Sequence, residues 1–164
     1  RVLIEKLIEA SQAGVKIELF IRGICCLKPG LAGFTDNISV KSIVGRYLEH
    51  SRIYVIGSGS DKKVFVGSGD LLSRNIERRV EAFIEIKSPA IMSDVLQIME
   101  AFKSDINNSW IMQPDGTYQK LPYAAGNDSF EKLYEYFSKR IITPGKTLKP
   151  KAKFRLKELF SLAK

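Results

Sequence analysis

The sequence is short of histidine, of cysteine and of long apolar runs, and each shortage narrows what the chain can be. It holds one histidine, His50, and two cysteines, the neighbours Cys25 and Cys26. Adjacent cysteines cannot easily meet disulfide geometry, so the pair reads as reduced thiols of a cytoplasmic protein and takes no catalytic role. No apolar run approaches the roughly 20 residues that span a bilayer, and no charged-then-apolar leader opens the chain, so neither membrane insertion nor secretion is expected. Two Asn-x-Ser matches, at Asn107 and Asn127, would matter only in a secretory compartment. The chain opens on Arg1 inside the amphipathic run "RVLIEKLIEASQAG", with no N-cap before it. It reads as a piece of a longer protein.

What is present is enough for one domain: 164 residues, 45% of them apolar, with a net charge of +8. That chain length can bury a real core. The charge is not spread evenly. Residues 143–164, "TPGKTLKPKAKFRLKELFSLAK", carry seven Lys or Arg against one Glu, six of the eight net positive charges. We therefore divide the chain into a domain, 1–142, and a basic C-terminal tail, 143–164. A tail of this kind is a solvated appendage first, and a source of polyanion affinity second.

Periodicity predicts an α/β class with a mixed sheet flanked by helices. Residues 1–13 read as a helix ended by Gly14, and "VKIELFI" alternates as a half-buried strand with Arg22 at its exit. "GICCLKPGLAGFTDN" reads as loop. Val40, Ile43, Val44, Tyr47 and Leu48 then fall at helical spacing, with Ser39 as N-cap, predicting a helix that delivers the chain to His50. "RIYVI" and "KVFVG", split by "GSGSDK", read as a buried antiparallel hairpin. "GSGDLLSRNIER" reads as loop, "RVEAFIEI" as a further strand, "IMSDVLQIMEAFKSDI" as a helix, "NNSWIMQPDGTYQKL" as loop or short hairpin, and "SFEKLYEYFSKRI" as a helix.

The hairpin gives His50 its neighbours. A turn over residues 57–62 sets Ile56 opposite Lys63 and His50 opposite about Gly69, so His50 and "GSGD" share one end of the sheet. The next strand begins near Arg78 and Arg79 and returns to the same end. A lone histidine after a helix more often caps or fills, and Arg22, Arg52, Arg74 and Arg79 taken singly are ordinary surface residues. Converging with Asn75 and a glycine-rich backbone, they suit an anionic phosphate: arginine forks grip its oxygens, backbone N–H groups approach, and histidine holds or gives a proton.

The blocks "FIRGICCLKPG", "SIVGRYLEHSRIYVI" and "GSGDLLSRNIERRVE" resemble the last domain of bacterial polyphosphate kinases, from about Val15 to Ile86. That family resembles the phospholipase D superfamily, in which two similar domains each bring a histidine to one site. The superfamily pattern is H-x-K, four residues, Asp, then G-S-x-x-N. Here Arg52 replaces the lysine, Gly57 stands where the aspartate would be, and Asn75 lies farther from Gly67-Ser68 than the pattern asks. These departures agree with the kinase variant.

The resemblance implies a phospholipase D-like half-site domain that works with the preceding catalytic domain of the same chain, which would carry the phosphorylated histidine. His50 matches the second histidine and is expected to act as an acid or hydrogen-bond donor. Arg22 and His50 would contact the nucleotide phosphates, with Arg79, Arg52 and Asn75 nearby. The implied partners are ATP or ADP and inorganic polyphosphate, with Mg2+ accompanying ATP and no protein metal site. The parent enzyme would be a homo-oligomer that can associate with a membrane surface, with no nucleic-acid partner.

Other readings have less behind them. "RIITPGKT" ends like a Walker A motif, but Arg140 occupies the position of the first glycine and a helix precedes it where a strand is required. A phospholipase D-type phosphodiesterase would use the same half-site without its lysine. A non-catalytic polyanion-binding module would rest on the basic tail.

Overall fold

The structure, a computed structural model, describes residues 2–139. The first helix, α1 (Val2–Gln12), presents Ile4, Leu7 and Ile8 at helical spacing to the core and stops at Gly14, whose φ of +87° favours glycine. Asn37 ties the helix end to the sheet: its Nδ2 donates to Ser11 O at 2.9 Å and its N–H to Ser11 Oγ at 3.2 Å. Strand β1 (Ile17–Phe20) follows and runs parallel to β2 (Ile38–Ile43), with Ile17 beside Ile38 and Phe20 beside Lys41.

The helix expected from Ser39 to Leu48 is not there. Residues 38–43 form β2, in which Ile38, Val40 and Ser42 are buried while Ser39 faces solvent. Ile38, Val40 and Ile43 are β-branched and suit a pleated surface; Ile38 and Val40 stand at strand spacing, while Val40 and Ile43 also stand at helical spacing. The residues that favoured the helical reading, Val44, Tyr47 and Leu48, are 58%, 56% and 75% exposed. Tertiary pairing with β1 decides the matter, and Ser39 is a strand residue rather than a cap.

The predicted hairpin forms in the predicted register. β3 (Ile53–Ile56) and β4 (Lys63–Gly67) are antiparallel with Ile56 opposite Lys63 and Ile53 opposite Val66. Gly57, at φ +84°, opens the turn. A Cβ there would also sit 2.8 Å from Asp61 O. The hairpin is less buried than expected: Val64 is fully enclosed, but Ile56 is exposed. The run expected as loop before Arg79 contains a short helix, α2 (Ser73–Arg78), and the expected strand over 79–86 shrinks to β5 (Phe83–Glu85), exposed at all three residues.

Helix α3 (Pro89–Ser104) and the hairpin of β6 (Ser109–Met112) and β7 (Tyr118–Lys120) follow, then α4 (Ser129–Ser138), capped by the Asp128 carboxylate. Among the described residues the strands make two sheets where one was expected. The mixed sheet has the order β1-β2-β6-β7, and β3-β4-β5 form a separate antiparallel sheet. The fold class is thus mixed α/β with flanking helices, and Leu27, Ile38, Val40 and Met112 form the core beneath α1. The domain boundary at 142, the basic tail and the Walker-like "RIITPGKT" lie outside the described residues.

One buried carboxylate joins three elements. Asp105, fully enclosed after α3, accepts from Asn108 N at 2.8 Å, Asn108 Nδ2 at 3.1 Å, Ser109 Oγ at 3.0 Å and Ser129 N at 2.7 Å. Lys41 reaches over from β2, and its Nζ donates to Lys103 O at 2.7 Å and Asp105 O at 3.0 Å, closing the carbonyl end of α3. Burial by itself pushes the Asp105 carboxyl up, but hydrogen bonds from Ser129 and Asn108 together outweigh it and hold it below the usual carboxylate range. A folded-state value below the unfolded one adds stability above the ordinary Asp range, and that stability is lost as pH falls through the folded value. Asp105→Ala should therefore lower the unfolding free energy by about 3 kcal/mol, since several buried donors lose their acceptor together. Urea titrations at neutral pH and at progressively more acidic pH should show the wild-type advantage shrinking with acidification.

Candidate functional site

The ladder of the small sheet continues one step beyond its last paired residues. Gly67 N donates to Arg52 O at 3.0 Å, and Ser68 N donates to Ala82 O at 3.0 Å. These bonds bring the start of β3, the end of β4 and the approach to β5 to one sheet end. His50, "GSGD" and Arg79 all belong to these segments. The glycines here serve packing: a Cβ on Gly67 would meet the Phe83 ring at 2.6 Å, and one on Gly69 would meet Glu81 Cγ at 2.9 Å. Tyr54 Oη donates to Gly69 O at 2.8 Å, and its ring lies 5.4 Å from that of Phe83. The turn is therefore held from both neighbouring strands.

Two groups of side chains gather at this end. In the first, Arg22 comes from the exit of β1 and its Nη1 donates to Glu49 O, next to His50. Glu49 in turn accepts from Ser51 N at 2.7 Å. Arg52 donates through Nη1 to His50 O at 2.9 Å, and the same nitrogen lies 2.8 Å from His50 Nδ1 and 3.4 Å from Nε2. A donor on the in-plane lone pair of Nδ1 would stand well beyond reach of Nε2. The guanidinium therefore sits toward the ring face.

In the second group, Glu81 accepts from Ser68 Oγ at 2.5 Å and Asn75 Nδ2 at 2.8 Å, and it pairs with Arg79 Nε at 3.3 Å. Hydrogen bonds from Ser68 and Asn75, aided by the Arg79 charge, hold its carboxyl below the usual range. Asn75, on α2, is 3% exposed; its Nδ2 is taken by Glu81, and its Oδ1 is buried without a hydrogen-bond partner among the described residues. An acceptor oxygen cannot grip a phosphate, so Asn75 in this form braces Glu81. A recess of about 250 Å³ opens between Asp70, Leu71, Asn75, Arg79, Glu81 and Phe83.

Asp70 joins the groups. Its Oδ1 accepts from Arg52 Nε at 3.0 Å, and it walls the recess that Arg79 and Asn75 also line. The hydrogen bond from Arg52 holds the Asp70 carboxyl below its usual range against partial burial, and the charges of Arg52, Arg74 and His50 add to this. A run of contacts thus leads from His50 through Arg52 to Asp70, and Asp70 shares the recess with Asn75 and Arg79. His50 and Arg22 do not line the recess itself. Residue-by-residue reasoning missed the carboxylates. Asp70 and Glu81 stood inside the quoted blocks "GSGD" and "RRVE", where the alternation of acid with arginine was the available signal.

The residues do not make a metal cage. Among the described residues no three His, Cys, Asp or Glu side chains converge to hold an ion. Asp70 and Glu81 already accept from arginine, serine and asparagine. Among the described residues, too, no helix is long and apolar enough to cross a membrane.

Fold and side chains together define a mixed α/β domain with a histidine beside carboxylate-paired arginines at the end of a small antiparallel sheet. The chain belongs to the family described as polyphosphate kinase C-terminal domain 2, whose model matches residues 1–132. It is 49% identical over 124 residues to the polyphosphate kinase of Thermosynechococcus vestitus, covering 76% of this chain and 17% of that protein. It is 45% identical over 141 residues to the polyphosphate kinase of Erythrobacter litoralis, covering 82% of this chain and 19% of that protein. Among solved structures, the polyphosphate kinase from Porphyromonas gingivalis superposes with a TM-score of 0.79 at 30% identity, over 85% of this chain and 22% of that one. The chain therefore spans under a fifth of the length of these curated relatives. The phospholipase D-like architecture expected of the family is consistent with this match.

Glu81 is the brace of the second group, since three donors share its two oxygens. Glu81→Gln puts an amide N–H₂ against those donors. It should lower the thermal midpoint, whereas Ser60→Ala on the exposed hairpin turn should leave it unchanged, as read by circular dichroism melting.

Proposed function

We propose that this chain supplies the second-histidine half-site of a polyphosphate kinase, which moves the terminal phosphate of ATP onto inorganic polyphosphate and back. The observation that carries the reading is the contact of Arg22 with Glu49 O across 27 residues of sequence. It brings a guanidinium to the residue next to His50, which supports a joint role for the two. The family match over residues 1–132 supports the same reading.

In this account the γ-phosphate passes first to a histidine on the preceding catalytic domain, forming a P–N bond as the bond to the bridging oxygen of ADP breaks. It passes next to a terminal oxygen of the polyphosphate chain, the P–N bond breaking as the new P–O bond forms and the histidine being released. The charge that develops is spread over phosphate oxygens, so the protein's task is positioning and neutralisation. Arg22 and Arg79, both exposed at the sheet end, grip oxygens through planar forks. His50 places a proton or hydrogen bond on the departing bridging oxygen. Magnesium arrives with ATP, held by the nucleotide, and shields its phosphates. The remaining partners are proposed with the parent enzyme: a homo-oligomer in the cytoplasm, able to meet a membrane surface and without a nucleic-acid partner.

Three assays test this. The enzyme that contains this chain should convert ATP and polyphosphate to ADP and longer polyphosphate and should not cleave a phosphodiester; the reverse pattern would favour the phospholipase D-type alternative. The 164-residue chain alone should transfer no phosphate, because the proposed nucleophile is on another domain, and measurable turnover by it would place the nucleophile here. Arg22→Lys keeps the charge but loses the fork, so kcat/KM should fall by the equivalent of about 2 to 3 kcal/mol, comparable to loss of one preorganised donor. Near-normal turnover would remove Arg22 from the site.

A further inference from the structure

We infer that Asp70 is a positioning residue for His50 and acts through Arg52, which backs the imidazole instead of gripping phosphate. The inference rests on the functional reading above and adds a residue to it. Arg52 is only 18% exposed along its side chain, and its Nε and Nη1 are already placed. Nε is on Asp70, and Nη1 is on the His50 carbonyl and against the His50 ring. A guanidinium that holds both the carbonyl and the ring of one residue restrains that residue's backbone and its side-chain rotation together. His50 needs such restraint, because it stands in the irregular segment between β2 and β3, outside either sheet.

Asp70 makes the restraint durable. Without an anion at Nε, Arg52 would be free to turn toward an incoming phosphate and away from the ring. With Asp70 in place, the guanidinium is neutralised and its plane is fixed. The carboxylate is itself set by the turn that Tyr54 pins through Gly69 O, and it faces Arg74 as well as Arg52. The order His50, Arg52, Asp70 therefore runs from the reacting group to its holder and to the holder's anchor.

The competing role for the same contacts has the opposite signature. If Asp70 were a stand-in for phosphate that ATP displaces, Asp70→Asn would free Arg52 and tighten ATP binding. If Asp70 positions His50 through Arg52, the isosteric Asp70→Asn leaves ATP affinity alone and slows the chemical step. In the full-length enzyme, kcat for Asp70→Asn should fall roughly 10- to 100-fold, the range typical when the group orienting a metal-bound imidazole is removed. The Kd for ATP, from equilibrium binding, should stay within about twofold, the split expected when only a transition-state interaction is lost. Asp70→Glu should recover much of the rate. The double variant Asp70→Asn, Arg52→Lys should be no slower than the slower single variant, because both substitutions cut one connection.

Tighter ATP binding in Asp70→Asn, unchanged kcat, or independent additive losses in the double variant would each overturn the inference. Should Asp70→Asn melt near the assay temperature, Arg52→Lys gives the same reading: slower turnover at unchanged ATP affinity supports positioning, and weakened ATP binding makes Arg52 a phosphate ligand. An inactive wild-type enzyme would overturn the functional reading, and this inference with it; an active wild type beside an unimpaired Asp70→Asn overturns the positioning role alone.

Discussion

The hydrogen bond from Gly67 N to Arg52 O sets the register on which the site depends. In a hairpin a slip of one residue turns every side chain to the other face of the sheet. Here such a slip would carry Arg52 away from Asp70 and from the His50 ring. The register is fixed from the turn, where Gly57 takes a left-handed φ and Ile56 meets Lys63. It is held at the far end by Gly67, which leaves room for the Phe83 ring, and by Tyr54, which bonds Gly69 O. The small sheet acts as a ruler that brings a residue before β3, a turn after β4 and the segment before β5 to one place.

The site that results is cationic but not bare. Asp70 answers Arg52, Glu81 answers Arg79, and a main-chain carbonyl answers Arg22. An unbalanced cluster of arginines would repel itself and splay in the absence of a ligand. Paired guanidinium groups keep their planes, so less order must be imposed when an anionic ligand arrives. Such balance also suits the proposed reversible transfer, in which phosphate oxygens must leave as readily as they enter. The exposed Arg22 and Arg79 can turn to a ligand at small cost, since exposed ion pairs are weak. The less exposed Arg52 is the poorest candidate for that exchange.

Much of this was legible in the sequence, for identifiable reasons. The hairpin and its register followed from two short apolar runs and a glycine-rich turn, all local. The placing of His50 just before β3 and Gly69 just after β4, at one end of the small sheet, followed from that register. The stretch 38–48 misled because Val40 and Val44 stand four apart, a spacing that fits both periods, and only pairing with β1 on one side and β6 on the other selects the strand. That pairing is non-local: β6 begins at Ser109, far along the chain, and no local pattern announces it. The separation into two sheets was hidden for the same reason. Helix α2 was missed because its six residues carry too little periodicity to stand out from a polar run. The carboxylates that organise the arginines were visible as residues but not as partners, because their roles depend on which arginine each one faces.

The account assigns His50 to assisting the transfer while another histidine carries the phosphate, and phosphopeptide mapping tests this most directly. Full-length enzyme labelled from ATP bearing a marked γ-phosphate would be digested under conditions that preserve phosphohistidine, and each labelled peptide identified. The account predicts label on a histidine outside this chain and none on the peptide that contains His50. Label on the His50 peptide would contradict it and make His50 the covalent carrier.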